Sequence, residues 1–205
     1  MMRPEDSEHI ATRSSLLERL KDLDNKAGWS QFFDAYWKLL YCVALRAGLK
    51  PHAAEDVVQD TVVSVAREIG GFEYDRRQGT FKGWLYTVLR RRIADHYRKE
   101  KRHLPVSDGL NGAIDAAALP DSNGVELERI WAEEWETNLI TTALGRVRHK
   151  ISERDYQIFH CLTIQGWGVL KTCSQLQLNP AQVYMSKYRV TKWLKIELQK
   201  LRNGD

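Results

Sequence analysis

Apolar residues recur at three- and four-residue intervals along most of the chain, and strict alternation is nowhere sustained. Ser15 and Glu18 have capping-box spacing, with Leu16, Leu17 and Leu20 as an apolar stripe. After a turn through Asn25 and Gly28, the residues Phe32, Phe33, Tyr36, Trp37, Leu40, Val43 and Ala44 mark a second helix, ending near Gly48. Pro51 punctuates, and a third helix is predicted from about Ala53 to Ile69. Its inward face is Ala54, Val57, Val58, Thr61, Val62 and Val65, and its outward face carries Glu55, Asp56, Gln59 and Asp60. Gly70-Gly71 ends it, because glycine accepts the left-handed cap conformation.

A polar loop leads to a helix from about Phe81 to Lys101, with Phe81, Trp84, Leu85, Val88, Leu89, Ile93 and Tyr97 inward. The periodicity then breaks. Pro105, Gly109, Gly112 and Pro120 punctuate a small, acidic stretch over 104–124, which reads as a flexible linker. Helical spacing returns with Val125, Leu127, Ile130, Trp131, Trp135, Leu139 and Ile140. Trp131 and Trp135 suit a core or a partner-docking face, the core being the simpler assignment. Ser152 caps a helix bearing Tyr156, Ile158, Phe159 and Leu162. A short helix, Val169 to Gln177, precedes a long one reaching about Leu201, with Asn179 as N-cap, Pro180 in its first turn and Gln182 three residues after the cap. The fold class expected is all-α: two small helical domains joined by a flexible acidic linker, the C-terminal one a helix-turn-helix.

Composition removes several classes. The 205 residues include 13 glycines and 5 prolines, so the chain is neither collagen-like nor of low complexity. No apolar run approaches a membrane span, and no secretory leader is expected from the polar start. Three widely spaced cysteines, Cys42, Cys161 and Cys173, make no disulfide framework, which fits a reducing cytoplasm. The six histidines show no zinc spacing with them, and no phosphate loop or nucleophile elbow is present. Asp95-His96 are adjacent on a helix and so point in different directions. No enzyme, cofactor or metal is expected.

The net charge of +4 hides a partition: residues 1–75 carry −4, 76–103 carry +8, 104–140 carry −7 and 141–205 carry +7. Two basic blocks alternating with acidic ones point to a polyanion that meets two surfaces. The first block interleaves aromatic residues with cations: Arg76, Arg77, Lys82, Trp84, Tyr86, Arg90, Arg91 and Arg98 are its candidates. Cations that follow a backbone and rings that stack on bases suit opened nucleic acid. Phe81 is better read as core, Trp84 suits either role, and Tyr86, one position off the apolar stripe, is expected on the surface. In the second block, helix-turn-helix geometry would bring Gln182, Tyr184, Lys187, Tyr188, Arg189 and Lys192 to duplex DNA. Gln182 and Lys187 are the candidate base readers, and Arg189 and Lys192 the candidate phosphate contacts. The cluster Glu55, Asp56, Gln59 and Asp60 offers a surface for a basic protein partner or favourable charge at a helix start.

In this order the pieces resemble the sigma subunits of bacterial RNA polymerase, of the two-domain extracytoplasmic-function type, over about Thr12 to Leu201 apart from the linker. One anchor is Ala54-Glu55-Asp56-Val57-Val58-Gln59-Asp60-Thr61, similar to the helix with which sigma domain two grips the polymerase clamp. A second is Thr80-Phe81-Lys82-Gly83-Trp84-Leu85-Tyr86 with Arg90 to Arg92, Asp95, Tyr97 and Arg98, which resembles the minus-ten recognition and melting helix. Thr12 to Leu17 and Gln182 to Met185 also look like sigma factors of planctomycete-type bacteria. The chain departs from the family at Lys171-Thr172-Cys173 and at Met185-Ser186, where other residues are usual.

The resemblance implies domain two over 12–103, a linker over 104–124 and domain four over 125–205. It implies core polymerase binding by Glu55, Asp56, Gln59 and Asp60. It gives minus-ten recognition and melting to the first basic block, a base-trapping role to the loop Gly71 to Gly79, and minus-thirty-five binding to the second block. The expected function is promoter-specific transcription initiation in the cytoplasm, with core RNA polymerase and promoter DNA as partners and room for an anti-sigma factor. The rival reading is a one-component regulator that binds duplex operators without polymerase. It leaves the aromatic-basic helix and the acidic face unexplained.

Overall fold

The computed structural model describes residues 13–72, 80–103 and 121–203, and every regular element among them is helical. In chain order these are α1 (Arg13–Leu20), α2 (Lys26–Arg46), α3 (Pro51–Glu68), α4 (Phe81–His103), α5 (Asp121–Arg148), α6 (Glu153–Thr163), α7 (Val169–Leu176) and α8 (Pro180–Asn203), with one 3-10 turn, Ile69–Gly71, after α3. The chain divides into two compact units, one up to Asn138 and one from Leu139.

The first unit packs α2, α3 and α4 around Phe32, Leu40, Val43, Val57, Val58, Val65, Leu85, Leu89 and Ile93, all essentially excluded from solvent. Local chemistry sets the element ends. Asn25 caps α2 by accepting the Gly28 N–H at 2.9 Å. Pro51 takes the first position of α3, where its missing N–H costs nothing, so that helix starts two residues before the expected Ala53. The Ser15–Glu18 spacing does not mark a helix start, because α1 already includes Arg13. Between α2 and α3, Gly48 holds a positive φ of 97°, and the Tyr97 hydroxyl donates to the Ala47 carbonyl at 2.7 Å.

Residues 121–138 of α5 also belong to the first unit. The unit boundary thus falls beyond residue 125, the expected start of the second domain, and 121–124 are helical. The remaining linker residues, 104–120, lie outside the described residues. Side-chain packing explains the shift. Trp131 and Trp135 are each only 3% exposed; Trp131 lies against Tyr86 and Trp135 stacks on Tyr36, centroids 5.9 Å apart. Arg46 of α2 grips both Glu133 (2.6 Å) and Glu134 (2.8 Å).

The second unit takes residues 139–148 of α5 with α6, α7 and α8. Val147, Phe159 and Val190 form its core, flanked by Leu144, Ile151 and Leu194. Ser152 caps α6 by accepting the Asp155 N–H at 3.1 Å. Gln177 closes α7 in the left-handed conformation, φ 53°. No helix among the described residues is long and apolar enough to cross a membrane.

Candidate nucleic-acid and polymerase interfaces

Helix α3 sorts its residues cleanly. Ala54, Val57, Val58, Thr61 and Val65 are buried, and the Thr61 hydroxyl is satisfied by the Val57 carbonyl at 2.7 Å. Glu55, Asp56, Gln59 and Asp60 all remain on the solvent side. Glu55 lies 3.8 Å from His52, while Asp56 and Asp60 enter no ion pair among the described residues. Carboxylates that no described cation pairs are open to an external one.

Helix α4 divides its candidates between two flanks of its buried strip, as 3.6 residues per turn dictates. Lys82, Tyr86 and Arg90 share one flank, at four-residue spacing, and α5 lies over it. The Lys82 ammonium sits 5.7 Å from the Trp135 ring centre, and the backbone at Gly124 approaches the Arg90 guanidinium. Tyr86, expected on the surface, is half-buried against Trp131; this burial, helped by Glu128 and opposed by Arg90, raises its phenol pKa. Trp84, Arg91 and Arg98 share the other flank. Trp84 packs on Phe72 (centroids 4.8 Å apart) and Phe81 (5.7 Å) and keeps partial exposure. Arg91 lies 3.7 Å from Glu68, and Asp95 pairs with both Arg92 and Arg98. Asp95 is therefore an ion-pair partner in a basic helix, and no cluster of three or more metal-ligating side chains occurs among the described residues. Arg76 and Arg77, and the loop 73–79 that holds them, lie outside the described residues.

In the second unit α7 and α8 follow one another across the three residues 177–179. Val183, Ser186 and Val190 of α8 are buried, and Gln182, Tyr184, Lys187, Tyr188, Arg189 and Lys192 are exposed. Two of the candidates have internal duties. The Asn179 side chain accepts the Gln182 N–H at 2.8 Å, and the Gln182 amide oxygen accepts the Asn179 N–H at 3.1 Å, a reciprocal capping box. Arg189 donates to Asp155 at 2.8 Å. Sequence reasoning missed Asp155. Its carboxylate is almost buried and receives both Arg189 and the Ser186 hydroxyl, the latter at 2.5 Å. Glu197, 2% exposed, was missed likewise; Lys150 donates to it at 2.5 Å, with Lys200 at 3.7 Å and Arg146 at 4.0 Å.

Residues 32–103, from α2 through α4, match the family model described as Sigma-70 region 2. The chain is 26% identical over 166 residues to the ECF RNA polymerase sigma factor BldN of Streptomyces coelicolor, covering 81% of this chain and 57% of the relative. It is also 26% identical over 101 residues to the ECF RNA polymerase sigma factor SigM of Bacillus subtilis, covering 49% of this chain and 60% of the relative. Over residues 32–103 the chain carries a Sigma-70 region 2, and the curated relatives it resembles are extracytoplasmic-function sigma factors. The chain spans less than two thirds of the length of those curated relatives. Among solved structures, CnrH in complex with the cytosolic domain of CnrY shares 19% identity with it, over 92% of this chain and 97% of that one, at a TM-score of 0.36. BldN in its complex with RsbN shares 17% identity, over 87% and 96%, at a TM-score of 0.35. The matched region contains both the acidic face of α3 and the aromatic-basic helix α4.

Proposed function

We propose that the chain is an extracytoplasmic-function sigma factor that binds core RNA polymerase and directs promoter-specific transcription initiation in the cytoplasm, acting without catalysis of its own. The observation that carries this reading is the Sigma-70 region 2 match over the three helices that present Glu55, Asp56, Gln59 and Asp60 on one face and the cations and rings of α4 on another. In this reading the acidic residues of α3 meet a basic surface of the polymerase. Trp84, Arg91 and Arg98 face opened promoter, together with Arg76 and Arg77 from the loop before α4, and Lys82, Tyr86 and Arg90 contribute from the flank beneath α5. Opening a duplex costs a few kcal/mol per base taken out of the stack, and capture of an extruded base offsets part of that.

The domain arrangement proposed is domain two over 12–103, a linker over 104–124 and domain four over 125–205, with residues 125–138 packed on domain two in the described state. Domain four contacts upstream duplex through α8. Tyr184, Lys187, Tyr188, Arg189 and Lys192 are the exposed candidates, Arg189 while it also bonds Asp155, and Gln182 reads a base only while it also caps the helix. Two weak DNA sites on one chain gain from each other only when their separation matches the DNA, and polymerase supplies that separation.

The interface is tested by reversing charge with Asp56→Lys and Asp60→Lys and measuring affinity for core polymerase. Both side chains are exposed, so the helical circular dichroism and melting temperature stay close to wild type while core affinity falls at least ten-fold. Unchanged core affinity would overturn the assignment of this face.

A further inference from the structure

Helix α8 can present side chains to DNA usefully only if its rotation about its own axis is fixed. Apolar packing through Val183 and Val190 is weakly directional, and a small roll of the helix displaces every exposed side chain together. A hydrogen bond is directional, and one made to a buried charge is both short and strong.

Asp155 supplies that directional contact. It stands in the first turn of α6, where Ser152 holds its backbone N–H at 3.1 Å, so the carboxylate rises from a fixed helix start. The side chain crosses to α8 and takes two donors one turn apart, the buried Ser186 hydroxyl at 2.5 Å and the Arg189 guanidinium at 2.8 Å. Two anchor points at i and i+3 define an angle about the helix axis, which a single contact could not. Burial alone would push the carboxyl pKa up; Ser186, Arg189 and Ser152 outweigh it, so the carboxylate stays charged. Ser186 lies directly between the exposed Met185 and Lys187, so the anchor sits inside the segment proposed to face duplex DNA.

We propose that Asp155 is a positioning residue for promoter selectivity: through Ser186 and Arg189 it sets the rotation of α8, and so decides which base edges the exposed side chains of that helix reach. The proposal rests on the reading of α8 as a duplex-binding helix and adds a residue that does not itself face the DNA. It also gives Arg189 a first duty as an internal anchor in place of a phosphate contact.

The test uses holoenzyme assembled from the full chain and core polymerase. A promoter is selected from a random-sequence library, and its affinity is compared with that of the same fragment carrying a scrambled upstream element, over a range of salt concentrations. Asp155→Asn, Ser186→Ala and Arg189→Gln are each expected to reduce the ratio of the two affinities by about ten-fold, with the salt dependence unchanged because no phosphate contact is lost. The Asp155→Asn/Ser186→Ala pair is expected to lose no more than the worse single variant, since both act through one contact. A merely structural role predicts equal losses on both fragments and an unaltered ratio, which would overturn the proposal. So would an Arg189→Gln variant that weakens both fragments equally and lowers the salt slope by about one. Should Asp155→Asn fail to fold, Ser186→Ala decides alone. A wild-type holoenzyme indifferent to the upstream element would remove the duplex-binding reading itself, a result separable from the variants' behaviour.

Discussion

The Tyr86 ring lies against Trp131, centroids 5.7 Å apart and planes 33° apart, which joins α4 to α5 within the first unit. Burial raises the Tyr86 phenol pKa above its ordinary value near 10; Arg90 opposes and Glu128 adds to the effect. The folded chain therefore holds this proton more tightly than the unfolded chain. The stability it contributes is complete below pH 10 or so, and is lost as the pH rises through the folded value. Urea unfolding of the wild type and of Tyr86→Phe across the alkaline range should show a steeper fall in the wild type. Parallel curves would contradict the burial.

Truncating the other ring tests the same contact from α5. Trp131→Ala should destabilise the first unit by about 3–5 kcal/mol, the usual cost of emptying a buried indole site. Tyrosinate absorbance should then show Tyr86 titrating closer to its ordinary value. A loss below about 1 kcal/mol would mean that α5 does not pack on this unit.

Acid should loosen the second unit. Burial raises the pKa of both Asp155 and Glu197. For Asp155, Ser186, Arg189 and Ser152 outweigh it; for Glu197, Lys150, Lys200 and Arg146 do, and both values end below the ordinary carboxylate range. A depressed folded pKa stabilises above the unfolded value and gives that up as the pH falls through the folded one. Amide exchange at α6 and α8 should accelerate as the pH falls below about 4, after correction for intrinsic rates, and Glu197→Gln should remove part of the pH dependence.

The turn after α2 makes a glycine necessary. Gly48 has φ 97°, and a Cβ added there would stand 3.1 Å from the Tyr97 hydroxyl. Gly48→Ala should cost roughly 1–2 kcal/mol in denaturant unfolding. Tyr97→Phe, which removes the hydrogen bond to Ala47, should cost about 1 kcal/mol.

Periodicity carried the sequence reading furthest where one helix face meets one core. On α3 the spacing of Ala54, Val57, Val58, Thr61 and Val65 both predicts the helix and separates the acidic face. On α5 the same signal says that Trp131 and Trp135 are buried, but not against which partner. Spacing reports a face and not its neighbour, and so the unit boundary at Asn138 was not legible. The Ser15–Glu18 spacing misled because a capping box is defined by a non-helical first residue, which sequence does not show. The Asp155 contact joins residues more than thirty positions apart and leaves no local trace.

The central claim is promoter-specific initiation, and a transcription assay with a promoter library and core polymerase tests it most directly. With the chain added, transcripts should start from a restricted set of promoters that is silent with core enzyme alone, and duplex binding by the isolated chain should be weak. Tight operator binding without polymerase, with no chain-dependent initiation, would contradict the account.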